Sequence, residues 1–366
     1  MYARLPFRVS TSTGMEQCPK NMTLQSEIYE QPERLQQLLS SQRKTSEEVA
    51  RLMNSHGVTY LFLAARGSSD NAARYANYLW GAQNGLPVAL ATPSLFTYYQ
   101  QPPRLKDAFV VGISQSGQSP DIVSVLEEGR RQGRPTLAIT NVPDSPLAQT
   151  ADLVLDTQTG PELAVAATKT YTAELMALAM LSAAMSGEPS KWKELGHVAG
   201  WTKSVLKQSD TIEQSSQRYR YMRQCVVLGR GYNYATAFEW ALKLKELTYV
   251  EAEPYSSADF QHGPIAMIEN SFPVLAVAPE GKVFDTMKAA LTRLRKDFGA
   301  ELVVISNNNQ ALALAQTPIA VPPGIPEWLT PLVSIVPAQL FAYHLTRAKG
   351  FDTEKPRIIG KVTETH

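Results

Sequence analysis

The sequence predicts an α/β protein made of two tandem three-layer α/β/α sandwich domains with parallel sheets. Three observations carry this. Segments of the first half recur, in order, in the second half. Within each half, short β-rich apolar runs read as strands buried on both faces. Helical patterns follow those runs, and strand–helix alternation implies parallel strands joined by right-handed crossovers.

The repeat can be followed along the chain. "YLFLAARGSSDNAARYANYL" at 60–79 resembles "QCVVLGRGYNYATAFEWALKL" at 224–244. Gly67 with Gly231 and Ala73 with Ala237 keep one spacing, and "DAFVVGISQSG" at 107–117 keeps it against "SFPVLAVAPEG" at 271–281. "LAITN" at 137–141 matches "VVISN" at 303–307, and "GPELAVAATKTYTAEL" at 160–175 faces "GIPEWLTPLVSIVPAQL" at 324–340. In the first copy, strands are expected at 59–64, 108–113, 135–140 and 152–156, with helices at 69–83, 119–131 and 168–186. In the second, strands are expected near 224–229, 272–278 and 301–306, with helices near 234–249, 282–298 and 326–347. The domain boundaries expected are an N-terminal extension at 1–25, a first domain at 26–200 and a second at 201–366.

Composition narrows the function classes. Apolar residues at 44% and charged residues at 19% fit a globular protein with a real core. A net charge of +1 gives no electrostatic case for nucleic acid or a membrane surface. Cys18 and Cys225 stand far apart, which fits a reducing cytoplasm better than a disulfide framework. The N-terminus lacks a signal-peptide core, and "LMALAMLSAAM" at 175–185 is too short to span a bilayer. His56, His197, His262, His344 and His366 show no pairing at i,i+3 or i,i+4, so a zinc site is not expected; no other cofactor is expected either.

In open α/β sheets, ligands bind beyond the carboxyl ends of the strands. Two loops there are rich in hydroxyls. "SQSGQS" at 114–119 runs from a strand end into a helix. Gly117 permits a tight turn, Ser114, Ser116 and Ser119 offer hydroxyls, and the helix start offers unpaired N–H groups. These residues suit a phosphate monoester, and locally they equally fit a Ser-rich helix cap. The second copy has "APEGK" in register, where Glu280 would repel phosphate. That divergence favours a binding role for the first-copy loop. The other loop, "RGSSDN" at 66–71, places Ser68 and Ser69 for sugar hydroxyls or phosphate, although Ser69 also fits an ordinary N-cap. Arg66 beside this turn fits a solvated charge as well as a phosphate partner.

Three further groups have chemical potential. Glu239, Lys243 and Glu246 share one helix face, either as a surface salt-bridge ladder or with Glu246 partly buried and tuned for proton transfer. His262 sits in a polar loop before Gly-Pro. Lys361 follows a Pro-fixed apolar stretch in the tail, which suggests docking rather than fraying.

Six segments taken together, "GISQSGQSPD", "AITNVPDSPLA", "AVAATKTYTAEL", "LGRGYNYATAFEWALKLKEL", "DFQHGPIAMI" and "KPRIIGKVT", resemble the tandem sugar-isomerase (SIS) domains of the glucosamine-6-phosphate synthase family. The resemblance runs from about residue 27 to the end of the chain. It implies two flavodoxin-like halves, usually in a homodimer. It implies a phosphate site at Ser114, Gln115, Ser116 and Ser119, with Ser68 and Ser69 reaching the sugar and the backbone around Val165 and Ala167 closing the pocket. Ala167 stands where that family typically has Ser, which removes one hydroxyl contact. Glu246 matches the base that moves a proton between C1 and C2. His262 matches a ring-opening histidine donated by the neighbouring subunit. Lys361 matches a tail lysine able to form a Schiff base, and Lys243 a helix lysine supporting the open-chain form.

About 25 residues precede the match, and Cys18 lies in no glutaminase-like context, so glutamine hydrolysis is not expected. The chemistry expected is therefore that of a SIS-type glucosamine-6-phosphate deaminase. Galactosamine-6-phosphate deaminase/isomerase and fructosamine-6-phosphate deglycase are the near alternatives. A non-catalytic sugar-phosphate sensor is the alternative of another class.

Overall fold

The computed structural model describes residues 23–361. Residues 1–22, including Cys18 and most of the expected N-terminal extension, lie outside the described residues, as do 362–366. The described residues form two five-stranded parallel sheets with helices packed around them. The first contains β1 (Tyr60–Ala64), β2 (Val88–Leu90), β3 (Ala108–Ile113), β4 (Thr136–Thr140) and β5 (Leu153–Asp156), in the order β2-β1-β3-β4-β5. The second contains β6 (Gln224–Gly229), β7 (Glu251–Ser256), β8 (Pro273–Val277), β9 (Glu301–Ser306) and β10 (Thr317–Ala320), in the order β10-β9-β8-β6-β7. Read from β7, the second order repeats the first, so the sequence repeat is also a repeat of topology.

The eight longest helices between residues 24 and 348, apart from those joining the two sheets, are α1 (Leu24–Ser41), α2 (Arg43–Ser55), α3 (Gly67–Asn84), α4 (Pro120–Arg131), α5 (Lys169–Ser186), α6 (Tyr234–Thr248), α7 (Phe284–Asp297) and α8 (Thr330–Ala348). Alternation along each strand decides which helices it meets. Leu61 and Leu63 of β1 join Val227, Leu275 and Val303 of the second sheet in one continuous core. That core takes its helical side from α3, α5, α6 and α8. Phe62, Ala64 and Val110 point the other way, onto Ile122, Val125 and Leu126 of α4. Val226 and Leu228 do the same toward Met287 and Leu291 of α7. The helices α5 and α8 are buried nearly all round, which explains their apolar sequences. No described helix is long and apolar enough to cross a membrane.

Expected strands and helices appear within a few residues of their expected bounds. The structure adds β2, β7 and β10 on the sheet edges, α1 and α2 before the first sheet, and helices Pro189–Leu195, Val198–Leu206 and Ser209–Ser216 between the sheets.

Candidate active site

The strand order of the first sheet reverses between β1 and β3, and this is the place where a parallel sheet leaves a crevice. A cavity of about 360 Å³ opens there. Its lining draws on five parts of the chain: Arg66–Ser69 after β1, Ser114–Ser119 after β3, Glu162–Thr170 with Glu174 of α5, Glu246 of α6, and Ile359–Lys361 of the tail. Ser68, Ser69, Ser114, Gln115, Ser116, Ser119, Val165, Ala167, Glu246 and Lys361 are thus brought to one place from across the sequence.

The Ser114–Ser119 loop has the shape of an anion cradle. Gly117 has φ 62°, a left-handed conformation that disfavours a side chain. A Cβ there would also collide with the side chain of Ser145. The Ser114 hydroxyl oxygen accepts from the Gly117 N–H at 3.1 Å, and the Ser116 oxygen accepts from the Gln118 N–H at 3.3 Å. Both hydroxyl protons stay available to a ligand. Ser119 occupies the N-cap of α4 without a side-chain capping bond, so its hydroxyl is also uncommitted. The N-terminus of α4 adds the positive end of the helix dipole. Arg66 is not simply solvated. Its guanidinium reaches the buried carboxylate of Asp121, in the first turn of α4, at 2.8 Å, which ties the two loops together.

Ser68 and Ser69 depart from the expected arrangement. Each has a single hydroxyl proton, and in both cases a glutamate carboxyl oxygen receives it. Ser68 donates to Glu239 at 2.9 Å and accepts from Lys243 at 3.3 Å. Ser69 donates to Glu174 at 2.8 Å. These hydroxyls can offer a sugar only lone pairs, while their positions at the start of α3 hold α5 and α6 in place.

The Glu239–Lys243–Glu246 row is not a surface ladder. Glu239 and Lys243 are fully buried where α6 meets α3, and Asn71 of α3 donates to Glu239 at 2.8 Å. Burial and the neighbouring Glu246 raise Glu239 against the lowering pull of Lys243 and its two hydrogen bonds. Burial alone would lower Lys243, but Glu239 at 3.4 Å and Glu246 at 2.6 Å outweigh it and keep the ammonium charged well above the usual lysine range. Lys243 lies beneath the cavity and does not line it. It fixes Glu246, which does.

Glu162 and Glu174 were not foreseen. Glu162 caps the start of α5, accepting from the N–H groups of Thr168 and Thr170 and from the Thr170 hydroxyl. Burial pushes its carboxyl up, but Lys361 at 2.6 Å and these donors prevail and hold it below the usual carboxylate range. The tail thus docks across the whole chain length. Further back, the Glu354 carboxylate accepts from the Leu24 N–H at 3.0 Å, and the Arg357 N–H donates to Tyr249 at 2.9 Å. Glu27 of α1 supports the 162–168 wall by accepting from Leu163 and Ala164, and burial raises its carboxyl to about 7. His262 stands apart. It is exposed, in the turn after Ser257–Phe260, and does not line this chain's cavity.

Comparison with known proteins agrees with the tandem fold. The SIS domain model matches residues 58–184 and again 219–348. The glutamine–fructose-6-phosphate aminotransferase (isomerizing) of Aquifex aeolicus is 32% identical over 336 residues, covering 92% of this chain and 56% of the relative. The chain therefore spans about half the length of the curated relatives it matches. The C-terminal domain of glucosamine-fructose-6-phosphate aminotransferase from Francisella tularensis superposes with TM-score 0.83 at 27% identity, covering 91% of this chain and 98% of that one. A glucosamine-6-phosphate deaminase from Thermotoga maritima shares the fold, with TM-score 0.76 at 19% identity over 93% of this chain and 99% of that one.

Proposed function

This chain belongs to the SIS domain family, and on that premise we propose that it is a phosphosugar aldose–ketose isomerase acting as a deaminase. It would convert glucosamine 6-phosphate and water to fructose 6-phosphate and ammonia. The observation that carries this reading is the shared cavity. Uncommitted hydroxyls at a helix N-terminus, a fixed carboxylate and a tail ammonium all face one space, whose size suits a small-molecule site.

In this reading the phosphoryl group lies against Ser114, Ser116 and Ser119 at the start of α4, and the backbone around Val165 and Ala167 closes over the sugar. Glu246 keeps one oxygen on Lys243, while its other oxygen makes no hydrogen bond among the described residues. That oxygen takes the proton from C2 of the open-chain sugar and returns it to C1. The electron pair of the C2–H bond forms a C1–C2 double bond while the carbonyl pair moves onto the C1 oxygen, which takes up a proton to become a hydroxyl. The nitrogen lone pair then forms the C2–N double bond as the C1–C2 pair takes the proton at C1, and the nitrogen gives up one proton to solvent. Water then adds to the resulting imine at C2, and ammonia leaves. Lys361 spends one donor on Glu162 and has two left for the carbonyl oxygen. His262, exposed and outside its own cavity, would assist ring opening in the neighbouring subunit of a homodimer.

An ammonia-release assay over glucosamine, galactosamine and fructosamine 6-phosphates tests the reading. Positioned acid–base groups contribute about 10²–10⁴-fold, so Glu246→Gln should bind glucosamine 6-phosphate while releasing ammonia at least a hundredfold more slowly. Preference for another amine would reassign the substrate. Tight binding without turnover of any of them would favour a sensor.

A further inference from the structure

One buried group lining the cavity has no role in the chemistry above. Glu174 lies on α5 with 2% of its surface exposed. Its Oε1 accepts from Ser69 at 2.8 Å, and its Oε2 has no hydrogen-bond partner although it is buried. Unpartnered buried polar atoms are rare in folded proteins, and an atom at the wall of a binding cavity is satisfied by what fills the cavity.

We propose that Glu174 is a specificity-determining residue whose carboxyl hydrogen-bonds a hydroxyl of the bound sugar chain as a neutral acid. The ion pairing of the site argues for neutrality. Glu162 has Lys361, and Glu239 and Glu246 share Lys243, whereas Glu174 has no ion-pair partner among the described residues. The charged or titratable groups facing it are Glu162 at the start of its own helix, Glu239 from α6, Tyr171 on α5 and Lys361 from the tail. Two of these four, the carboxyl groups of Glu162 and Glu239, disfavour a further negative charge beside them. Burial, opposed by the Ser69 bond and reinforced by Glu162 and Glu239, raises its carboxyl to about 8. Below that pH it carries a proton it can donate; above it the group ionises beside a ligand that carries phosphate.

The inference rests on the phosphosugar reading for its ligand class, so the test uses a ligand that cannot turn over. Glucitol 6-phosphate has the open-chain hydroxyls but neither amine nor carbonyl, and its phosphate is fully ionised above pH 7. Titration calorimetry from pH 7 to pH 9 should show wild-type affinity falling about tenfold, the loss expected when only the protonated acid binds. Glu174→Gln keeps a donor of the same shape and should bind with little change across that range. Glu174→Leu should bind about three- to tenfold more weakly than wild type at pH 7. Equal pH dependence in wild type and Glu174→Gln, or a flat wild-type profile, would overturn the assignment. Failure of wild type to bind glucitol 6-phosphate would overturn it together with the phosphosugar reading. The expected limb without ammonia release from any amino sugar would leave Glu174 standing and overturn only the deaminase reading.

Discussion

Replacing Gly117 with Ala should deform the phosphate loop by an amount the structure allows us to work out. Two costs add. A side chain at φ 62° costs about 1–2 kcal/mol. The new Cβ would also stand 2.5 Å from Ser145 Cβ, closer still to its hydroxyl, and 3.1 Å from Thr140 Oγ1. Overpacking of this kind costs about 1–3 kcal/mol. Together they predict about 2–5 kcal/mol of lost stability in urea denaturation, with weaker binding of fructose 6-phosphate because Ser114 and Ser116 shift with the turn. The double variant Gly117→Ala/Ser145→Gly separates the costs. It removes the overlap with Ser145, sacrifices only a few tenths of a kcal/mol of N-cap, and should recover about 1–3 kcal/mol relative to Gly117→Ala. Were Gly117→Ala to match wild type in both urea midpoint and fructose 6-phosphate affinity, the loop geometry argued here would be refuted.

Two further outcomes follow from the buried charges. Lys243→Met leaves Glu239 buried without its cation and should cost about 3–5 kcal/mol in urea unfolding; adding Glu239→Gln should restore part of it, and no restoration would separate the two residues. Glu162 has a lowered folded-state pKa, so its contribution is present above the ordinary value of 4.5 and is lost as pH falls through the folded value. The stability advantage of wild type over Glu162→Gln should therefore be larger at pH 7 than at pH 3, and an advantage that grows on acidification would contradict the pairing with Lys361.

The parts of this architecture visible in the sequence are those that repeat or that local chemistry demands. β1, β3, β4, β6, β8 and β9 are central strands, covered on both faces, and their continuous apolar runs say so. Of the four edge strands only β5 is legible from the sequence, and the other three give no such signal. Val88–Leu90 is three residues long, and Glu251–Ser256 and Thr317–Ala320 each contain a proline, which edge strands tolerate. In the site, the density of Gly and Ser between 114 and 119 reveals the loop because its function depends on local backbone shape. What escapes is long-range pairing. Arg66 meets Asp121, Ser68 meets Glu239 and Lys361 meets Glu162 only because the fold brings them together. Glu174 did leave a trace: a carboxylate just before "LMALAMLSAAM", in a helix otherwise apolar enough to be buried, is a residue that needs a reason. Glu27 left none, since α1 is polar enough to read as an ordinary surface helix.

The most direct test is a crystal structure of the Glu246→Gln protein with glucosamine 6-phosphate bound. The phosphoryl oxygens should lie on Ser114, Ser116 and Ser119, with C2 of the sugar about 3 Å from the side chain at 246, or one water away. A phosphoryl group seated elsewhere, or a second carbon beyond reach of that side chain, would contradict the proposed chemistry.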